Sequence, residues 1–446
     1  MRGGDARQPG DLTEERRLRS DPRPSMSADR PDEIRPDLPV PPVPDPAPER
    51  PASYREVLAV REFRYLFGAY AMSMLGDQLA KVALSLLVFN RTGSALLTAA
   101  TLAISYLPWI VGGPMLSAIS DRMERRRVLI TCDLARAVLV GLIAVPGMPI
   151  PVLLLILFLA ATFSPPFESA RSALTPQMLP GDRYVVGNSM LALTGQVCTM
   201  IGFLAGGLLV ALITPRGVLL IDAATFVVSA LLIVLGVIAR PATPAPTPSE
   251  SAWRQITAGL RYVFHDSRLR TMLLIVWTAA AFGFCWEGVA APIVDELHGP
   301  DWQVGLLLGC SAAGIVVGAV GAVRLCPPAL RARLMLPGAV LQQLLLVAVL
   351  IDRNIVLVAI AVGLSGVASA FLLPLNAQFM RSVPDHLRGR AFGVAQGGLQ
   401  AAQGIGLLAA GGVASALAPT TTAAVFGVLG AVGLIPLILS RRFVPA

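Results

Sequence analysis

Arg240-Pro-Ala-Thr-Pro-Ala-Pro-Thr-Pro248 interrupts a chain of recurrent apolar runs. Its prolines lack backbone donors and fix φ, so the stretch can neither be helical nor lie in lipid, where every backbone polar group needs an internal partner. On its N-terminal side, apolar runs fall near 64–89, 95–119, 128–146, 150–170, 188–213 and 217–238. On its C-terminal side they fall near 269–290, 302–323, 334–351, 354–378, 388–416 and 420–440. At 1.5 Å per residue, runs of about twenty residues cross about 30 Å of hydrocarbon. The sequence therefore predicts an all-α integral membrane protein with twelve transmembrane helices. They form two six-helix halves, 53–238 and 269–442, joined by a linker over 239–268.

Composition agrees with this division. Of 446 residues, 54% are hydrophobic and 14% charged, and the mean hydropathy is +0.67. That leaves too little polar side chain to cover a water-soluble surface. Lys81 is the only lysine and follows Ala80, which excludes a phosphate-binding loop ending in Gly-Lys-Ser/Thr. The first 52 residues hold nine Arg, eleven Asp/Glu and twelve Pro, so they read as a disordered tail of net charge −2 rather than a signal peptide. The remaining positive charge sits between apolar runs, not in a solvated basic block, which argues against nucleic acid as a partner.

Arginine placement sets an expected orientation. Eighteen arginines, among them Arg122, Arg125, Arg126, Arg127, Arg331 and Arg390, fall in one set of loops, and only Arg91, Arg216 and Arg353 in the other. By the positive-inside rule both termini and the linker are expected in the cytoplasm of a multi-pass cell-membrane protein. In the linker, Trp253, Ile256, Leu260 and Phe264 share a helical face beside Arg254 and Arg261. They predict either a helix on the inner membrane surface or a plain connecting helix. The five cysteines show no CxxC spacing and read as packing residues. The three histidines are far apart, and no hydrolase or metal-binding motif is present, so neither an enzyme nor a cofactor is expected.

The halves also resemble each other. Pro180-Gly-Asp-Arg and Pro384-Asp-His-Leu-Arg lie 204 residues apart, Gly206-Gly207 and Gly411-Gly412 lie 205 apart, and Lys81 and Glu287 lie 206 apart. Such a parallel repeat of six-helix units is the duplicated architecture of transporters that rock around a central site. The stretch Gly113-Pro-Met-Leu-Ser-Ala-Ile-Ser-Asp121-Arg-Met-Glu-Arg-Arg-Arg-Val128 resembles the loop motif between helices two and three of the major facilitator superfamily. Leu75-Gly-Asp77, Thr92-Gly-Ser94, Asp133-Leu-Ala-Arg136, Ala170-Arg-Ser-Ala-Leu-Thr-Pro176 and Val383-Pro-Asp-His-Leu-Arg-Gly-Arg390 are similar to its macrolide-efflux and siderophore-exporter branch. The chain departs from the usual patterns at Ser117 and Glu124, where the loop motif has glycines. It also lacks the helix-five proline, with Phe203 between Gly202 and Gly206. The resemblance implies that Asp121 and the neighbouring arginines form a cytoplasmic latch. On the residues alone, the arginines simply fix orientation.

Charges inside spans mark candidate sites, since each costs about 2.5–3.5 kcal/mol on insertion scales. Asp77 lies 13 residues beyond Arg64, about 20 Å along the first span. Lys81 is one turn further on the same face, and Glu287 sits at matching depth in span seven, so Lys81 and Glu287 are expected to meet across the cavity. Asp77 is either the proton-coupling acid, with Lys81 and Glu287 as outer gate or substrate contacts, or the partner of Lys81 within one helix. Asp121, Arg122, Arg125, Arg126, Asp133, Arg136, Glu168 and Arg171 are candidate cytoplasmic-gate residues, with Asp133 expected to pair Arg136 and Glu168 to pair Arg171. Trp109, Gln196, Trp286, Asn376 and Gln400 are candidate cavity residues. Together these features predict a monomeric secondary transporter that exports a small amphipathic molecule (drug, antibiotic or siderophore-like metabolite) by alternating access, using the proton gradient. Two alternatives stay open: an uptake or facilitated-diffusion carrier, and a membrane receptor or assembly partner with a transporter-like fold.

Overall fold

A computed structural model describes residues 52–111, 123–240, 252–352, 354–370, 373–384 and 387–440. The N-terminal tail, most of the proline-rich linker segment, and Asp121 and Arg122 lie outside the described residues. All regular structure among the described residues is helical. The first half contains α1 (Tyr54–Ala59), α2 (Arg61–Thr92), α3 (Ala95–Ile104), α4 (Leu107–Val111), α5 (Arg125–Ile143), α6 (Ile150–Thr162), α7 (Ser164–Met178), α8 (Asp182–Ile213) and α9 (Pro215–Gly236). After α10 (Ala252–His265) in the linker, the second half contains α11 (Ser267–Gly283), α12 (Ala290–Glu296), α13 (Trp302–Leu325), α14 (Pro328–Val347), α15 (Ile355–Ser369), α16 (Leu373–Ser382), α17 (Arg388–Val413) and α18 (Pro419–Leu439).

Each expected span contains at least one helix among the described residues, with the second described as far as Val111. The extra helices arise because single spans bend where the backbone demands it. Span four divides at Phe163, where Pro165 and Pro166 open α7 without N–H donors. Span seven is interrupted by a 3₁₀ turn over Cys285–Val289. The turn between spans one and two is fixed locally: Gly93 ends α2 in the left-handed region at φ 61°, and the Ser94 hydroxyl then accepts from the Leu97 amide to start α3. Nine helices or joined helix pairs among the described residues are long and apolar enough to cross a membrane by themselves. α5 and α17 are less apolar because they bring charged and amide side chains inward. Leu212, Leu235, Val323 and Leu325 are among many exposed large apolar residues, the surface expected where lipid replaces water.

The cores show how the halves meet. At the end bearing the linker, each half has its own cluster, one around Phe63, Leu129 and Leu174 and another around Leu273, Met335 and Phe379. Toward the opposite end a single cluster takes side chains from both halves, including Leu86, Phe203, Trp286 and Leu308. There α8 packs against α13 so closely that a Cβ on Gly207 would stand 2.5 Å from the Trp302 carbonyl oxygen. Asn90 Nδ2 donates to Asp301 at 2.9 Å across the same boundary. The halves are thus joined at the Asn90 end. α10 docks on the second half, with Val263 fully buried and Gly259 against the Arg390 backbone.

Candidate functional site

Between the halves lies a cavity of about 780 Å³. Its blind end, toward the joined side, is lined by Lys81 and Leu84 of α2, Val140 of α5 and Leu157 of α6. It runs toward the linker end past Trp109, Gln396 and Gln400 to Glu168, Ser172, Phe392 and Gly393. The wall therefore combines apolar and aromatic surface with a few charged groups, the usual make-up of a small-molecule site.

The charged part is built from three helices. α2 carries Asp77 and α9 packs along it, while α5 packs on α9 and brings in Arg136. Arg136 Nη2 donates to both Asp77 carboxylate oxygens, at 2.5 and 2.6 Å, and Nη1 reaches Ser73 Oγ at 3.4 Å. The guanidinium also lies over the Phe226 ring, 4.1 Å from its centroid, which covers its face with π density in place of water. Asp222, 1% exposed, stands beside this pair as a second acid. Gly76 makes room for it, since a Cβ there would strike the Asp222 carboxylate and the Thr225 hydroxyl. Thr225 donates to the Asp222 carbonyl oxygen at 2.7 Å and stands 3.4 Å from its carboxylate.

Two sequence expectations are corrected by this geometry. Asp77 does not pair with Lys81: one helical turn separates them, but the Arg136 fork reaches the carboxylate first. Asp133 does not pair with Arg136 either. Although three residues apart, the two side chains meet different neighbours, and Asp133 Oδ2 accepts from Ser229 Oγ on α9 at 2.6 Å in a fully buried site.

Glu168 and Arg171 do pair, and the Arg171 guanidinium lies 4.6 Å from the Tyr70 ring centroid. Arg125 donates to the Ala173 carbonyl at 3.3 Å and Arg126 to the Val234 carbonyl at 2.7 Å, tying α5 to α7 and α9. Both contacts lie within one half, and the second caps a carbonyl in the last turn of α9. Lys81 lines the cavity without an ion pair within 4 Å among the described residues, so it and Glu287 do not meet in this conformation. Glu287 stands on the 3₁₀ turn outside the cavity wall. Trp109 and Gln400 line the cavity, whereas Gln196 and Asn376 are exposed but not among its lining residues, and Trp286 is packed in the core that joins the halves. Asp222, Ser73, Tyr70 and Phe226 went unnoticed in the sequence. A lone acid within the apolar run Val218–Gly236 was the signal for Asp222.

Residues 66–326 match the family model for the Major Facilitator Superfamily, more than half of the chain. The chain belongs to the major facilitator superfamily. It is thus a multi-pass membrane transporter rather than an enzyme. Among curated relatives of this facilitator, the multidrug efflux pump Tap of Mycolicibacterium fortuitum is 25% identical over 76% of this chain and 86% of its own length. Tap of Mycobacterium tuberculosis H37Rv is 29% identical over 78% of this chain and 86% of its own. Macrolide efflux protein A of Streptococcus pyogenes is 18% identical over 58% and 65%. The nucleoside transporter NupG superimposes with a TM-score of 0.67 at 12% identity, over 86% of this chain and 100% of that one. A bacterial homologue of the lysosomal transporter Spinster superimposes with a TM-score of 0.63 at 14% identity, over 89% and 100%. At these identities the solved structures speak for the fold alone.

Proposed function

We propose that this facilitator exports amphipathic small molecules, of drug, antibiotic or siderophore-like size, from the cytoplasm in exchange for protons. The observation that supports this most is the Asp77–Arg136 pair set into a cavity large enough for such a molecule, between halves that the described residues join at the Asn90 end. The multidrug and macrolide efflux names of its relatives support the direction. Arginine placement supports a cytoplasmic linker end in a cell-membrane protein. In that orientation, the conformation described here is closed outside and receives substrate from inside.

The packing supports alternating access. Arg125 and Arg126 tie α5, α7 and α9 into one body, so the first half rocks against the second as the Gly207–Trp302 contact opens. Asp77 is the coupling acid. While paired with Arg136 it is a carboxylate; a proton entering from outside neutralises it and loosens the guanidinium. Return to the inward state releases that proton to the cytoplasm and restores the pair. Substrate moves outward in the other half of the cycle, and the chain acts as a monomer.

Dye retention in cells with and without the chain tests this reading. Cells that express it should retain less fluorescein or rhodamine 123, and a protonophore should remove the difference. Equal retention of both dyes with and without the chain defeats export. Export that survives a collapsed proton gradient defeats coupling.

A further inference from the structure

We propose that Lys81 is an anion-recognition point at the blind end of the cavity, and that it selects amphipathic substrates bearing a carboxylate or similarly acidic group. This deepens the export reading and rests on it for the direction of movement.

Among the described residues, five carboxylate, ammonium or guanidinium side chains line the cavity: Asp77, Lys81, Arg136, Glu168 and Asp222. Asp77 and Arg136 neutralise each other in a two-oxygen contact. Glu168 is held by Arg171 from behind the wall. Asp222 is 1% exposed and sits beside Arg136, with Thr225 as its hydroxyl neighbour. Lys81 alone presents a cationic head to the space without an ion pair within 4 Å among the described residues.

The charged groups facing it are Asp77 one turn back on α2, Arg136 from α5 and Glu287 from the 3₁₀ turn. Asp77 is already engaged, Arg136 is a like charge, and Glu287 stands off the cavity wall. The immediate wall beyond Lys81 is Leu84, Val140 and Leu157. An ammonium with apolar neighbours on one side and no acid within 4 Å among the described residues is best complemented by an anionic group brought in by the occupant. An apolar body would then lie along Trp109, Phe226 and Phe392 toward the mouth.

The test uses two dyes that share a xanthene body, fluorescein with an acidic carboxylate and cationic rhodamine 123. Fluorescence anisotropy measures their binding to the full chain in nanodiscs. The parent should bind fluorescein more tightly. Lys81→Met should weaken fluorescein by about tenfold, the size of one charge-assisted contact, and strengthen rhodamine 123 by removing a like charge. Lys81→Arg should keep the parent's order, which separates lost charge from lost fold. A parent with no preference for fluorescein overturns the proposal, as does a Lys81→Met variant that weakens both dyes alike. A charge-dependent preference in nanodiscs, with no dye export from cells, would uphold the site and sink the transport reading instead.

Discussion

Arg136 in the first half and Gln342 in the second lie 206 positions apart, on the third helix of each repeat. The same offset takes Asp77 to Gly283, and Asp222 to Val428 beside Gly427. Where the first half buries a guanidinium between two carboxylates, the second buries two carboxamides against glycines. Gln342 is 1% exposed and Gln343 fully buried. A Cβ on Gly283 would strike the Gln342 amide, and one on Gly430 would stand 2.6 Å from the Gln343 side-chain amide oxygen. Gln343 Nε2 donates to the Ala279 carbonyl at 3.0 Å. One packing problem, three helices meeting inside a membrane bundle, thus has a charged solution and a neutral one within the same chain. The fold does not require the charges. A buried ion pair is often no more stabilising than well-packed neutral side chains, so its presence in one half points to function rather than to packing.

Variants that break this asymmetry should rank accordingly. Arg136→Met leaves Asp77 without its counter-ion beside Asp222, and should cost about 3–5 kcal/mol in thermal unfolding while abolishing dye export. Gln342→Met at the matching position removes a carboxamide whose oxygen has no partner, and should change stability by less than about 1 kcal/mol. Comparable losses from the two variants would dissolve the contrast. Gly76→Ala pushes a methyl group into Asp222 and Thr225; overpacking of this kind costs about 1–3 kcal/mol, visible as a lowered unfolding midpoint. Asn90→Ala should have the smallest effect, about 0.5–1.5 kcal/mol for one hydrogen bond to Asp301. It acts at the closure, so accessibility labelling of the cavity from the Asn90 end should rise although global stability barely moves.

How much of this was legible in the sequence differs between fold and site. The halves and their twelve spans follow from apolar run length and from the proline segment, because lipid leaves the backbone few options. Asp77 and Lys81 stand out for the same reason, as charges where charge is costly. Their partners were not legible. Asp133 and Arg136 are three apart on α5, so helical spacing suggests a pair, but spacing along one helix does not say which neighbouring helix each side chain faces. Asp222 was readable as a lone acid in an apolar run, and its setting only through Gly76 on another helix. Gln196 and Asn376, polar residues within spans, were expected in the cavity and are not among the residues lining it, since polarity identifies a residue and not its rotational position in the bundle.

The most direct test of the charged half's role is proton movement in proteoliposomes containing a trapped pH-sensitive dye. Adding rhodamine 123 to the parent protein should drive a proton flux that accompanies rhodamine 123 movement. In Asp77→Asn, rhodamine 123 should still bind but no longer move protons. A variant that drives the parent's proton flux would contradict the assignment of coupling to Asp77.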